Sequence, residues 1–396
     1  MTLVGIPPEA APGPAAERYA SFTPTVTAFT LAAILVSGQL YIVIPLLHDM
    51  AAVWTTTTAS LAWLVTAFAI GYGVGFLLSG PLSDRFGRRR LILYGLPLAA
   101  LATAAVTLSP TPEAAVALRL VQGLAVATFP PAALAYLAER VDPRRRAVAI
   151  SAVTAAFLAS AVLLQVGAQI LVPLTGWRAP FLISAAGLAL SMPVIRVIML
   201  PDTPRATTPS LLGAYRALPG LLLHRTLLPR YLATLILMIG FVAVYTALQL
   251  HGVTATSSQL LALRAAGLPA IVAIPLLMPW LSRLSAPVRA AGFLALAAVA
   301  VTAVAVIAPS ATWLAVLLAL YVAAVAGALP GLNESISAAA GPARGGALAL
   351  FSFSLAVGSA IGPPLAAAFP AFPPLLYGVA AAMTLAALAV LASSRR

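Results

Sequence analysis

Gly80-Pro81-Leu82-Ser83-Asp84-Arg85-Phe86-Gly87-Arg88-Arg89-Arg90 interrupts two long apolar runs with a dense, mostly cationic turn. A charged segment between apolar runs has to reach water, so it marks where the chain turns at one face of a membrane. The rest of the chain supports that reading. Of its 396 residues 62% are hydrophobic and 8% charged, and the mean hydropathy is +1.05. A soluble domain carries about 25% charged residues. A water-soluble fold of this length has no place to hide so much apolar surface, which leaves an integral membrane protein.

Spanning helices need about 20 apolar residues each. Candidate spans fall near 25–47, 59–79, 91–109, 114–137, 147–172 and 178–200, and again near 227–250, 258–281, 288–308, 311–332, 346–369 and 374–393. The fold expected is therefore an all-α integral membrane protein of about twelve transmembrane helices in two pseudo-symmetric six-helix halves. The halves cover residues 23–200 and 227–396, joined by a cytoplasmic linker over 201–226 and preceded by a disordered cytoplasmic tail, 1–22. All 22 basic residues are arginine. With both termini cytoplasmic, nineteen of the 22 fall on the inner side, and the positive-inside rule then fixes the topology in a plasma membrane. The halves echo each other: Pro81 and Arg85 are matched by Pro279 and Arg283 at an offset of 198, and Pro131 and Arg145 by Pro330 and Arg344 at 199. Such an echo fits parallel halves with a solute site between them near the midplane.

Several function classes are excluded. The net charge of +13 comes from clusters between apolar spans rather than from one soluble face, which argues against nucleic-acid binding. Without lysine the chain has no Walker-type phosphate loop, so energy comes from a gradient or a separate subunit. Cysteine is absent, the three histidines are peripheral and no acid pair lies within a span. Neither a metal site nor an intramembrane catalytic site is expected, and no cofactor is required.

Four pieces resemble the major facilitator superfamily of secondary transporters. They are the quoted turn, which matches the signature between that family's second and third helices; Arg119-Leu120-Val121-Gln122-Gly123, similar to its R-x-x-Q-G motif; the run Glu139 to Arg146; and Gly176-Trp177-Arg178. The nearest subgroup is the bacterial twelve-helix drug–proton antiporters, although Ala161 to Gly167 lacks the proline common in their fifth helix. The resemblance implies alternating access around a central cavity and proton-coupled efflux of a small organic solute by a monomer in lipid. A proton-linked importer of an organic anion, or a permease without its own energy coupling, are the alternatives. It also implies a conformational lock formed by Gly80, Asp84, Arg85, Gly87, Arg88 and Arg89, with the helix after Gly345-Gly346 as the neighbour of Asp84. The competing reading makes these charges a solvated topology anchor.

Within the spans, charge is scarce. Arg119 and Arg264 lie inside predicted helices, where a charge faces a cavity or partner or snorkels to the interface. The family motif nominates Arg119, Gln122 and Gly123 for coupling. The titratable span-end residues Asp49 and Glu334 join them. Cavity candidates are Gln39, Tyr41, Gln165, Gln169, Tyr245, Gln249, Arg264 and Asn333; Gln165 and Gln169, four apart, share a helical face. None of the nine carboxylates sits mid-span. Arginines without a mid-membrane acid imply a positive cavity and an anionic or neutral polar solute.

Overall fold

A computed structural model describes residues 19–57, 60–202, 210–250, 262–263, 265–307 and 311–394. The tail expected over 1–22, and Arg264, lie almost wholly and wholly outside them. All regular structure among the described residues is helical. The elements are α1 (Phe22–Gly38), α2 (Leu47–Val53), α3 (Trp63–Phe86), α4 (Arg88–Val106), α5 (Pro112–Val126), α6 (Phe129–Arg140), α7 (Pro143–Thr175) and α8 (Arg178–Ile198). After them come α9 (Leu211–Leu222), α10 (Leu228–Leu250), α11 (Leu268–Leu281), α12 (Ala286–Ile307), α13 (Ala311–Ala340), α14 (Arg344–Ala368) and α15 (Phe372–Ser394). Ten described helical segments are long and apolar enough to cross a membrane, with α5 and α6 together forming one of them. The shorter apolar helices α1 with α2, and α11, stand at the positions of the first and eighth spans. The twelve-helix, two-half architecture read from the hydropathy is the one the chain adopts.

Several boundaries differ from the sequence reading, each for a local reason. The first span is broken: α1 stops at Gly38 and a 3₁₀ turn over Ile44–Leu46 precedes α2. The fourth is broken too, because Pro130 and Pro131 cannot donate to the preceding turn but suit the start of a new helix, α6. The signature turn is shorter than its polarity suggests. Helix α3 runs through Pro81 and Asp84 to Phe86, α4 begins at Arg88, and the reversal rests on Gly87 alone, at φ +97. A left-handed backbone there is open only to glycine at little cost. The segment 201–226 carries a helix of its own, α9.

Packing follows a pseudo-two-fold pattern. In the first half α1 packs on α7, α3 on α5 and α4 on α8; in the second α10 packs on α14, α12 on α15 and α11 on α13. Between the halves, α3 meets α14 and α7 meets α11, the same relation with the halves exchanged. The close crossings use small residues, which is how helices gain van der Waals contact where lipid removes the hydrophobic drive. A Cβ on Gly71 would meet the Leu120 carbonyl, and one on Gly123 the Phe68 carbonyl, so α3 and α5 touch backbone to backbone.

Candidate functional site

That close crossing lets α5 aim a cation at the core of the first half. Arg119 is fully buried. Its Nε donates to the Leu64 carbonyl at 3.1 Å, and its Nη1 to the Gln39 carbonyl at 2.9 Å and to Gln122 Oε1 at 2.7 Å. Gln122 Nε2 donates onward to Gln39 Oε1 at 3.0 Å and to Thr103 Oγ1 at 2.8 Å. Gln39 returns a bond to the Leu35 carbonyl and Thr103 to the Ala99 carbonyl. The guanidinium also lies 4.4 Å from the centre of the Phe68 ring and 5.9 Å from that of Phe181. The break after Gly38 explains the Gln39 carbonyl: where the helix ends, a carbonyl is released from the ladder and turned to the cation. One polar network therefore ties α1, α3, α4 and α5 together around a charge held at Nε and Nη1 by carbonyls and an amide and flanked by rings, while its buried Nη2 has no hydrogen-bond partner. Arg119 neither snorkels to an interface nor stands at an open surface.

A second cluster lies at the arginine-rich end, between the halves. Asp84 sits on the last turn of α3 and is nearly buried. Its Oδ2 accepts from the Gly346 amide at 3.1 Å, at the start of α14, and its Oδ1 pairs with Arg88 Nη2 at 2.6 Å. A carboxylate facing a helix N-terminus is favoured by the amides there and by the helix dipole. Gly345 makes room, since a Cβ on it would overlap the Asp84 carboxylate. Arg88 also reaches Glu139 Oε1 at 3.0 Å and Ser83 Oγ at 3.2 Å. The facing of Asp84 on α14 expected by resemblance is thus present, with Gly80 lying against Ala349 and Gly345 at the same contact.

The second half repeats the arrangement. Arg289, at the start of α12, pairs with Glu334 Oε2 on α13 at 2.6 Å, as Arg88 at the start of α4 pairs with Glu139 on α6. The charges also cross: Arg146 of α7 acts electrostatically on Glu334, and Glu139 acts on Arg344 of α14. The end of one half's fourth span thus faces the start of the other half's fifth. The equivalence Arg145 to Arg344 read from the sequence lies one residue away from this contact.

The sequence reading missed Asp202, which it left in the linker. Its carboxylate accepts from the backbone amides of Arg89 and Arg90 at 3.0 and 3.3 Å and so caps α4. Arg89 in turn spends its guanidinium on the carbonyls of Met199 and Arg196, at 3.2 and 2.8 Å. Arg89 therefore ties the first half to itself, whereas Arg85 is exposed. The only sequence signal for Asp202 was an acid just beyond the sixth span.

The remaining candidates scatter. Tyr41 and Asp49 are half-buried near the end of the first span remote from Asp84. Gln165 is buried and Gln169 exposed, so the pair is divided between two environments. Tyr245 is buried against Phe241, with ring centres 5.3 Å apart. Asn333 is fully buried, and neither atom of its amide has a hydrogen-bond partner. Gln249 lies in α10, but its side chain, like the whole of Arg264, is outside what is described.

A chain of twelve spanning helices in two like halves, with a carboxylate of one half seated on a helix N-terminus of the other, belongs to a recognisable class of membrane protein. Its profile is that of the Major Facilitator Superfamily, which matches residues 29–320; the chain is a member of that family. Among curated relatives, the Methylenomycin A resistance protein of Streptomyces coelicolor is 31% identical over 141 residues, 34% of this chain and 30% of that protein. The 4-hydroxybenzoate transporter PcaK of Pseudomonas aeruginosa is 32% identical over 153 residues, 38% of this chain and 34% of that protein. The matched segment thus spans about a third of each relative's length. In fold, the chain is similar to the solved transporter FucP in its outward conformation, at TM-score 0.76 and 15% identity, covering 95% of this chain and 99% of that one.

Proposed function

We propose that the protein is a proton-coupled exporter that moves a small organic solute by alternating access, the two halves rocking about a central site. Family membership supports transport. The resistance protein among its relatives favours export. The named transporter of an aromatic acid keeps the importer reading as the alternative. The topology proposed puts both termini and the arginine-rich end in the cytoplasm of a cell with this protein in its plasma membrane, working as a monomer. In this state the Asp84–Gly346 contact holds that end shut.

The observation that carries the substrate class is the placement of charge. Every described carboxylate is in a helix-end turn, a cap or the arginine-rich cluster: Asp49, Asp84, Glu113, Glu139, Asp142, Asp202 and Glu334. Arg119 is sealed within the first half. A lipophilic cation meets no counter-charge at mid-depth, so the solute is neutral and polar or carboxylated. Asn333, fully buried in this state with its amide unengaged, offers such a solute a donor and an acceptor once the rocking of the halves uncovers it. For the proton we assign Glu334. Its carboxylate is paired to Arg289 within its own half and faces Arg146 across the interface, so rocking the halves changes its proton affinity. Gln122 and Gly123 hold Arg119 in place rather than carry the proton.

The test is flux in proteoliposomes holding this protein alone, with an imposed pH gradient and matched panels of organic anions, neutral solutes and cations. Gradient-driven movement of anions or neutral solutes, reduced in Glu334→Gln, is the expected outcome. Robust transport of cationic dyes overturns the substrate class, and flux indifferent to the gradient overturns the coupling.

A further inference from the structure

Helix α9 lies across the arginine-rich end and touches both halves. Tyr215 Oη donates to the Leu78 carbonyl of α3 at 3.0 Å. Leu218 and Leu221 lie against Gly346 of α14, the glycine whose amide meets Asp84. This stripe is occupied by protein. The adjacent stripe is not. Leu212, Arg216, Pro219 and Leu223, spaced by four, three and four, share one line along the helix. All four are exposed, Leu212 by 61% and Leu223 by 69%.

Two further observations say what covers it. The first is depth. Helix α9 ends at Leu222 and the spanning helix α10 begins at Leu228, so the stripe lies within a few residues of the hydrocarbon boundary. The second is charge. No Asp or Glu occurs between Asp202 and Glu334, and Asp202 is committed to capping α4. The described arginines of this segment, Arg216 and Arg225, are exposed and have no acid beside them in sequence. An apolar stripe with a central arginine at the membrane surface matches a helix that lies in the plane of a leaflet.

We infer that α9 is an interfacial strap seated on an anionic phospholipid leaflet. Leu212, Pro219 and Leu223 enter the acyl boundary and Arg216 reaches up to the lipid phosphates, its stem lying along the apolar surface. Seated there, the strap presses Leu218 and Leu221 onto α14 and favours the shut state of the α3–α14 contact. Each arginine near an anionic surface contributes about fivefold to partition. The occupancy of the shut state therefore depends on the headgroups of that leaflet. The inference rests on the membrane reading of the fold but not on which way the chain is oriented.

The chain has no native cysteine, so Leu223→Cys carries a single environment-sensitive fluorophore. The full protein goes into nanodiscs of phosphatidylcholine alone and of phosphatidylcholine with phosphatidylglycerol. Reference labels at Arg144→Cys, exposed at the start of α7, and Val74→Cys, exposed mid-span on α3, report water and lipid. The expected result is quenching of the Leu223 label by shallow spin-labelled lipid and protection from iodide, both increased by phosphatidylglycerol and returned to the neutral-lipid level by Arg216→Gln. Iodide quenching equal to that at position 144 in both discs overturns the strap while leaving the fold intact. If the Val74 label also escapes lipid quenching, it is the membrane reading that fails. A distance distribution across α3 and α14 that Leu212→Ser with Leu223→Ser leaves unchanged overturns the strap's hold on the gate.

Discussion

Replacing Gln122 with leucine removes three hydrogen bonds at once while keeping helix propensity and volume close to the original. Gln122 accepts from Arg119 at 2.7 Å and donates to Gln39 at 3.0 Å and Thr103 at 2.8 Å. Thr103 keeps its bond to the Ala99 carbonyl, but Gln39 Oε1 is left without a donor and Arg119 loses one of three acceptors. Side-chain hydrogen bonds inside membrane proteins average about 0.6 kcal/mol and reach about 1.7 kcal/mol, so three are worth roughly 2–5 kcal/mol. At about 2 °C per kcal/mol for a large domain, the midpoint falls by about 4–10 °C. The assay is thermal unfolding of the purified protein in detergent. Gln169→Leu, the same chemical change at an exposed position of α7, serves as the control and moves the midpoint by less than about 1 °C. Gln39→Leu with Gln122→Leu removes the stranded acceptor as well, so the double variant loses less than the sum of the singles. Equal, small shifts in Gln122→Leu and Gln169→Leu would refute the claim that this network holds the first half together.

Three further outcomes follow from the same geometry. Gly345→Ala drives a methyl into the Asp84 carboxylate, so it lowers flux in proteoliposomes while membrane insertion and yield stay at the wild-type level. Arg289→Leu leaves Glu334 buried without its 2.6 Å partner and costs about 3–5 kcal/mol in thermal unfolding, most of which Glu334→Leu in the same chain restores. Asp202→Ala uncaps α4 at the amides of Arg89 and Arg90. It costs about 0.5–2 kcal/mol, read as a lower melting midpoint and faster amide exchange at the first turn of α4.

The architecture was legible because hydropathy and arginine placement are properties of whole segments, and a helix in lipid has few alternatives. Gly71 and Gly75, four apart on α3, sit at the α3–α5 crossing, but their spacing alone names no partner helix. The candidate site was legible only where a motif fixed both members of a contact, as with Asp84 and the glycines in the first turn of α14. Arg119 shows the limit. Its position within a span left burial and snorkelling both open, and its partners include the carbonyls of Leu64 and Gln39; a backbone acceptor leaves no trace in composition. Asp202 escaped for a related reason: an N-cap supplied from 112 residues away obeys no local spacing rule. Helix α9 was hidden because the polar residues around it, Asp202, Arg216 and His224 among them, read as a linker between the halves, and a twelve-residue helix is too short to register as a span.

The central claim is that Asp84, seated on the amides that open α14, holds the arginine-rich end shut. The absence of native cysteine allows spin labels at Phe86→Cys on the last turn of α3 and Ala339→Cys at the end of α13, both exposed and on opposite halves. One charge-assisted bond together with the helix dipole is worth about 2–3 kcal/mol, which is roughly a 30- to 150-fold shift in the ratio of shut to open. The measurement is the distance distribution between the two labels by pulsed electron paramagnetic resonance, with and without Asp84→Asn. The account predicts a single short distance in the parent and a new, longer population in Asp84→Asn. An unaltered short distance in Asp84→Asn, together with unaltered flux, would contradict it.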